Sequence, residues 1–148
     1  MISNSDNETI EIAKNFAATL NGGEVICLHG NLGAGKTTFM KGVVEYFNID
    51  KDEIISPTFI IANQLKSQKP KDKNQNIENI IHIDAYRIEN EDNMLETGVL
   101  EYFGDKNSIV FIEWSEKIKK YIPENNVKNI YFDIIENNKR DINILSRV

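Results

Sequence analysis

The sequence predicts an α/β fold in which a central, mostly parallel sheet is flanked by helices and followed by a C-terminal β-hairpin. Three observations carry that expectation. A glycine-rich stretch, Gly30-Asn31-Leu32-Gly33-Ala34-Gly35-Lys36-Thr37, lies between an apolar run and a helical stripe. Two more apolar runs, Ile80 to Asp84 and Ile109 to Glu113, each end in a carboxylate. Apolar runs of this length read as buried strands, and in parallel α/β sheets the carboxyl ends of such strands gather at a ligand.

Composition sets the bounds. A chain of 148 residues favours one domain, 1–148, with a real core. Hydrophobic residues at 41% and charged residues at 27% match an ordinary soluble protein. A net charge of −6 argues against a protein that holds bare nucleic acid by its overall field, while leaving a local basic patch open. Cys27 is the single cysteine, so a disulfide within the chain and a cysteine metal cluster are both excluded. It falls in a predicted strand and reads as a small buried apolar residue. No signal peptide, lipid motif or long apolar span is visible, which points to the cytoplasm and away from a membrane.

Taken in order, Ser5-Asp6-Asn7-Glu8 reads as a capping box, a serine followed three residues later by a glutamate. Ile10, Ala13, Phe16, Ala17 and Leu20 form a helical stripe, which Asn21-Gly22-Gly23 ends. Val25 to Leu28 is a short buried strand, and Phe39, Met40, Val43, Val44 and Phe47 mark a helix from Thr37 to Phe47. Pro57 holds Ser56 extended and starts a turn, Ser56-Pro57-Thr58-Phe59, before a strand over 59–65. A hydroxyl on the loop after the first phosphate-site helix often senses a metal or terminal phosphate in nucleotide switches, and Thr58 is placed for that or for an ordinary turn. Lys66 to Glu78 is a polar loop joining two strands; Lys66, Lys69, Lys71 and Lys73 make it locally basic, a solvated loop or a contact to RNA or a partner.

The later elements follow the same logic. His82 points to the same side of its strand as Asp84 and reads as a satisfied core residue. Glu91 to Phe103 holds short helical pieces broken at Gly98. Trp114, Ile118 and Ile122 recur at i, i+4, i+8 and predict a helix that Pro123 stops, with Glu116 and Lys120 as a surface pair. Asn126 to Glu136, Asn137-Asn138 and Lys139 to Leu145 predict a closing hairpin with a two-residue turn.

The glycine-rich stretch fits G-x-x-x-x-G-K-[ST], the phosphate-loop (P-loop) pattern, in its strand-to-helix context. A triphosphate needs many donors close together with no side chains in the way. Gly30, Gly33 and Gly35 let successive N–H groups curl inward as an anion nest. The following helix adds its unpaired N–H groups and the positive end of its dipole. Lys36 reaches the outer phosphates and the Thr37 hydroxyl can ligate Mg²⁺. Asp84 and Glu113 then face one site: one serves the metal and the other positions the attacking water, with the order left open. Asn138-Lys139-Arg140-Asp141 fits the N-x-x-D pattern that reads guanine, but only seven residues follow it, too few to complete a base pocket, so it reads as a hairpin turn.

Together these blocks resemble the TsaE (YjeE) family, the small ATPases of bacterial tRNA threonylcarbamoyladenosine synthesis. The matching residues are Gly30 to Lys41, Ser56-Pro57-Thr58-Phe59, His82-Ile83-Asp84-Ala85-Tyr86-Arg87, Glu96-Thr97-Gly98 with Tyr102-Phe103, and Glu113-Trp114. The resemblance covers nearly the whole chain. It implies binding of ATP and Mg²⁺, slow hydrolysis, and work with TsaD and TsaB, which transfer the threonylcarbamoyl group to an adenosine beside the tRNA anticodon. Hydrolysis would reset that complex, and tRNA would be met indirectly through it. The resemblance further implies nucleotide contacts from Gly33, Ala34, Gly35, Lys36, Thr37 and Thr38, from Arg140 at the start of the last hairpin strand, and from Asp6 and Thr9 near the N-terminus. It makes Thr37 and Glu113 the Mg²⁺-site residues, Asp84 a second acid needed for activity, and Lys36, Asp84 and Glu113 the catalytic set. Lys139 stands where the family often has glycine. The rival reading is a nucleotide-regulated binding module whose bound state matters more than its hydrolysis. A small-molecule kinase lacks an evident arginine-rich lid.

Overall fold

The computed structural model describes residues 1–54, 62–70 and 75–147. The strands are β1 (Ile2–Ser3), β2 (Val25–His29), β3 (Ala62–Lys66), β4 (Asn79–Asp84), β5 (Ser108–Glu113), β6 (Val127–Glu136) and β7 (Lys139–Arg147). They form one mixed sheet in the order β1-β7-β6-β2-β5-β4-β3. β6, β2, β5 and β4 run parallel at its centre. β3 on one edge and β7 with β1 on the other are antiparallel. The parallel part expected from the sequence is thus the centre alone, and β1 is an element that the sequence reading did not contain.

Two α-helices, α1 (Asp6–Ala17) and α2 (Lys36–Tyr46), lie on the same face of this sheet. Phe16, Ala17, Phe39, Met40 and Val43 pack there on Ile26, Leu28, Phe111 and Phe132. The opposite face, with Val25, Cys27, Ile81, Ile83 and Ile112, is covered by Met94 and Ile118 from short 3₁₀ segments and by Val99 between two of them. Helices were expected on both faces; the α-helices take one, and the other receives tighter, shorter turns. β2, β5 and β4 bury both faces, which is why each is a continuous apolar run, whereas β6 alternates because one of its faces is partly open.

Ser5 caps α1: its Oγ accepts the Glu8 N–H at 3.1 Å. Glu8 does not complete the expected box on Ser5 but accepts the Asn4 N–H instead, at 2.7 Å. The helix stops at Ala17, ahead of the predicted Asn21-Gly22-Gly23 turn. The segment after β5 departs further. Trp114 sits in the left-handed region (φ 60°, ψ 42°), and Ser115–Tyr121 forms 3₁₀ turns interrupted at Ile118 (φ −130°, ψ 33°), not the predicted helix. Its expected Glu116–Lys120 pair is replaced by Lys120 to Asp92 at 2.6 Å, which ties this segment to the Glu91–Thr97 turn. The closing hairpin forms as read, with Asn137-Asn138 at the turn and a bulge between Ile134 and Glu136. Asn138 thus lies in the hairpin turn, and Lys139, Arg140 and Asp141 open β7. The Ser56–Phe59 turn with Thr58, and Lys71 and Lys73, lie outside the described residues. Among the described residues, no helix is long and apolar enough to cross a membrane.

Candidate functional site

The site begins where β2 stops. Leu28 is the register partner of Glu113, and Gly30 opens the loop that leads into α2. Gly33 and Gly35 have φ of 80° and 103°, values that side chains other than glycine rarely adopt, so the loop turns twice where only glycine is unstrained. Gly30 serves differently from the turn expected of it. A Cβ there would lie 2.8 Å from the Phe132 carbonyl oxygen, so glycine lets the loop pass close under β6. The Ala34 N–H closes a turn onto the Asn31 carbonyl at 3.0 Å, and its methyl group is buried in the core. The first i→i−4 bond of α2 runs from the Phe39 N–H to the Gly35 carbonyl at 2.9 Å. The N–H groups of residues 36–38 precede it at the positive end of the helix. Thr37 is exposed there and Thr38 half-buried.

Lys36 folds inward. Its Nζ donates to the Gly30 carbonyl at 2.6 Å, stands 3.8 Å from Glu113 Oε1 and lies 5.5 Å from the centre of the Trp114 ring. Glu113 is buried, and its Oε2 accepts from His82 Nε2 at 2.8 Å. His82 is therefore more than the core residue expected from its apolar strand; it belongs to the site. The signal was its i, i+2 spacing from Asp84, but the partner lies on another strand and no local pattern names it.

Asp84 and Glu113 are direct register partners on neighbouring parallel strands. Sheet order ranks them: β5 adjoins β2, whereas β4 is one strand further out, about 4.8 Å more across the sheet. Asp84 turns back, its Oδ1 accepting the Tyr86 N–H at 3.0 Å. Burial raises the Asp84 carboxyl pKa above its ordinary value, the Tyr86 N–H opposes that rise, and the Glu113 charge adds to it.

The remaining residues expected at the site spread around the loop. Arg140, at the start of β7, donates to the Gly33 carbonyl at 3.2 Å and to three carbonyls of its own turn, those of Glu136, Asn137 and Lys139. Ser3 in β1 is the register partner of Arg140, and Ser3 Oγ hydrogen-bonds Thr9 Oγ1 at 2.7 Å. Thr9 is buried with its hydroxyl on that bond, and Asp6 is exposed in the first turn of α1. The N-terminus, the hairpin turn and the loop are thus linked through Arg140.

Chemically, this is a cradle of backbone donors with one ammonium, bordered by two carboxylates. Oxygen donors suit a hard cation such as Mg²⁺. Among the described residues no three His, Cys, Asp or Glu side chains converge as a metal-holding group. A cation here would share its shell with water and phosphate oxygens, the usual habit of Mg²⁺.

Comparison with known proteins agrees across nearly the whole chain. The family model "Threonylcarbamoyl adenosine biosynthesis protein TsaE" matches residues 3–142. The tRNA threonylcarbamoyladenosine biosynthesis protein TsaE of Rickettsia bellii is 36% identical over 143 residues, covering 97% of this chain and 92% of that one. Its Aquifex aeolicus counterpart is 34% identical over 145 residues, covering 97% and 93%. The crystal structure of Bacillus subtilis YdiB superposes with a TM-score of 0.69 at 28% identity, over 96% of this chain and 80% of that one. The chain belongs to the TsaE family of tRNA threonylcarbamoyladenosine biosynthesis proteins.

Proposed function

We propose that this chain is a P-loop ATPase that binds ATP with Mg²⁺ at residues 30–38 and hydrolyses it slowly, acting with TsaD and TsaB in threonylcarbamoyladenosine formation on tRNA. The carrying observation is the position of Lys36, buried between the Gly30 carbonyl and Glu113 at the head of α2. An ammonium held there meets an anion entering the cradle at once, and outer phosphates can replace the Gly30 carbonyl as its acceptor.

The residues divide the work. Backbone N–H groups of Gly33 and of Gly35 to Thr38 take the phosphates, with Ala34 shaping the loop through its bond to Asn31, and Lys36 carries the charge that backbone dipoles alone do not balance. Mg²⁺, held by the Thr37 hydroxyl and by Glu113 directly or through its water shell, would neutralise charge that builds on the phosphate oxygens. Asp84 positions the water that attacks the γ-phosphorus. The bond to the bridging oxygen of the β-phosphate breaks, leaving ADP and inorganic phosphate. Arg140, already on the Gly33 carbonyl, and the exposed Asp6 would close over the nucleotide from the hairpin side, while Thr9, buried with its hydroxyl on Ser3, would support that side from within. Hydrolysis would then reset the TsaD–TsaB transfer complex, which itself handles the tRNA.

The experiment is ATPase turnover with and without TsaD–TsaB, alongside nucleoside analysis of tRNA from cells depleted of the protein. Stimulated turnover and loss of the modified adenosine are expected. Normal modification after depletion would sink the pathway role, and absence of ATP binding by calorimetry would sink the site.

A further inference from the structure

We propose that His82 is a positioning residue for Glu113: it holds one carboxylate oxygen so that the other faces Lys36 and the loop. The inference rests on the nucleotide reading above and adds a residue to its metal site.

The geometry is specific. The His82 and Glu113 side chains are 3% and 9% exposed, and His82 Nε2 lies 2.8 Å from Glu113 Oε2. A carboxylate can only accept, so the ring nitrogen donates, and the bond is charge-assisted. Register makes Asp84 the direct neighbour of Glu113, with His82 two residues further back on the same face. Glu113 therefore bends back along the sheet to meet the ring, while Asp84 turns to the Tyr86 N–H. The fork leaves Oε1 as the oxygen on the Lys36 side, 3.8 Å from Nζ.

That arrangement has a consequence for binding. A glutamate side chain is flexible, and a ligand oxygen fixed beforehand does not have to be ordered when the metal arrives. Without the ring neither oxygen is fixed, and the side chain has to be ordered when the metal binds. His82 thus keeps Glu113 fixed while the lysine stays exchangeable.

The test uses the full-length protein and reads the Trp114 fluorescence response to Mg²⁺ at fixed ATP, with calorimetry of ATP in EDTA as the metal-free control. His82→Leu keeps bulk and removes the donor. His82→Gln places an amide N–H close to where Nε2 sits, and His82→Asn carries one that falls short. The Mg²⁺ needed for half the response should rise about tenfold in His82→Leu and His82→Asn. His82→Gln should recover most of it, and metal-free ATP affinity should stay within about twofold throughout. If His82→Leu fails to fold, the comparison of Asn with Gln carries the test. Variants that all titrate as the wild type, or Gln and Asn impaired alike, overturn the proposal. A wild type without Mg²⁺-dependent ATP binding overturns the nucleotide reading itself, and this inference with it.

Discussion

The ends of β4 and β5 carry two carboxylates in direct register, yet they are held in opposite ways. Glu113 is buried between a histidine and a lysine and has both oxygens directed. Asp84 is only partly buried, curls onto its own Tyr86 N–H, and has its carboxyl pushed up by burial. The difference teaches that adjacency in a sheet does not make two acids equivalent. The preorganised one suits ground-state binding of a cation. The loosely held one suits a contact made on the way to the transition state, for which prior order matters less than reach.

Ranked by effect on ATP affinity, substitutions should separate the two strand ends. Lys36→Ala comes first, with a loss of about a hundredfold, because charge-assisted bonds to the outer phosphates vanish together. Calorimetric titration measures it, and unchanged affinity would remove the loop from the site. Glu113→Ala should cost about tenfold in the presence of Mg²⁺ and little in EDTA, where no metal calls on the carboxylate. The same change should lower stability by about 1–3 kcal/mol, as the buried His82 donor loses its acceptor.

Asp84→Ala should leave affinity within about twofold while turnover falls on the order of a hundredfold. Equal losses in affinity and turnover would erase the distinction between the strand ends. The smallest effect is on stability. A carboxyl raised in the folded state disfavours folding when it must ionise, so the penalty is present at neutral pH and fades as pH falls through the folded value toward the ordinary 3.8. Asp84→Asn should therefore melt slightly higher than the wild type at pH 7, and the gap should close in acid. A gap that widens in acid would show that the carboxylate is stabilised in the fold, contrary to its placement.

The same strand ends show what the sequence made legible. Val25 to Leu28, Ile80 to Asp84 and Ile109 to Glu113 announce themselves because a strand buried on both faces must be apolar throughout. The loop is legible because Gly33 and Gly35 occupy backbone conformations that other residues avoid. Asp84 and Glu113 are legible as carboxylates that end apolar strands, but their unlike environments depend on which strand neighbours which, and that information is not local. His82 shows this most clearly: its partner is 31 residues away, and only the β4–β5 register brings them together. Residues 115–121 failed for another reason. Apolar positions four apart suit an α-helix, but they were satisfied here by 3₁₀ turns once Trp114 had entered the left-handed region. Ile118 is fully buried, but the backbone reaches it through 3₁₀ turns rather than along a helix.

Trp114 also supplies the most direct test, because it is the single tryptophan, follows Glu113 and lies 5.5 Å from the Lys36 ammonium. The central claim is that the buried acid on β5, not its half-buried neighbour on β4, organises the cation. The measurement is a Mg²⁺ titration of Trp114 fluorescence at fixed ATP for the wild type, Glu113→Ala and Asp84→Ala. The account predicts a saturable response in the wild type and in Asp84→Ala, and a flattened one in Glu113→Ala. A response lost in Asp84→Ala and retained in Glu113→Ala would exchange the two roles and contradict it.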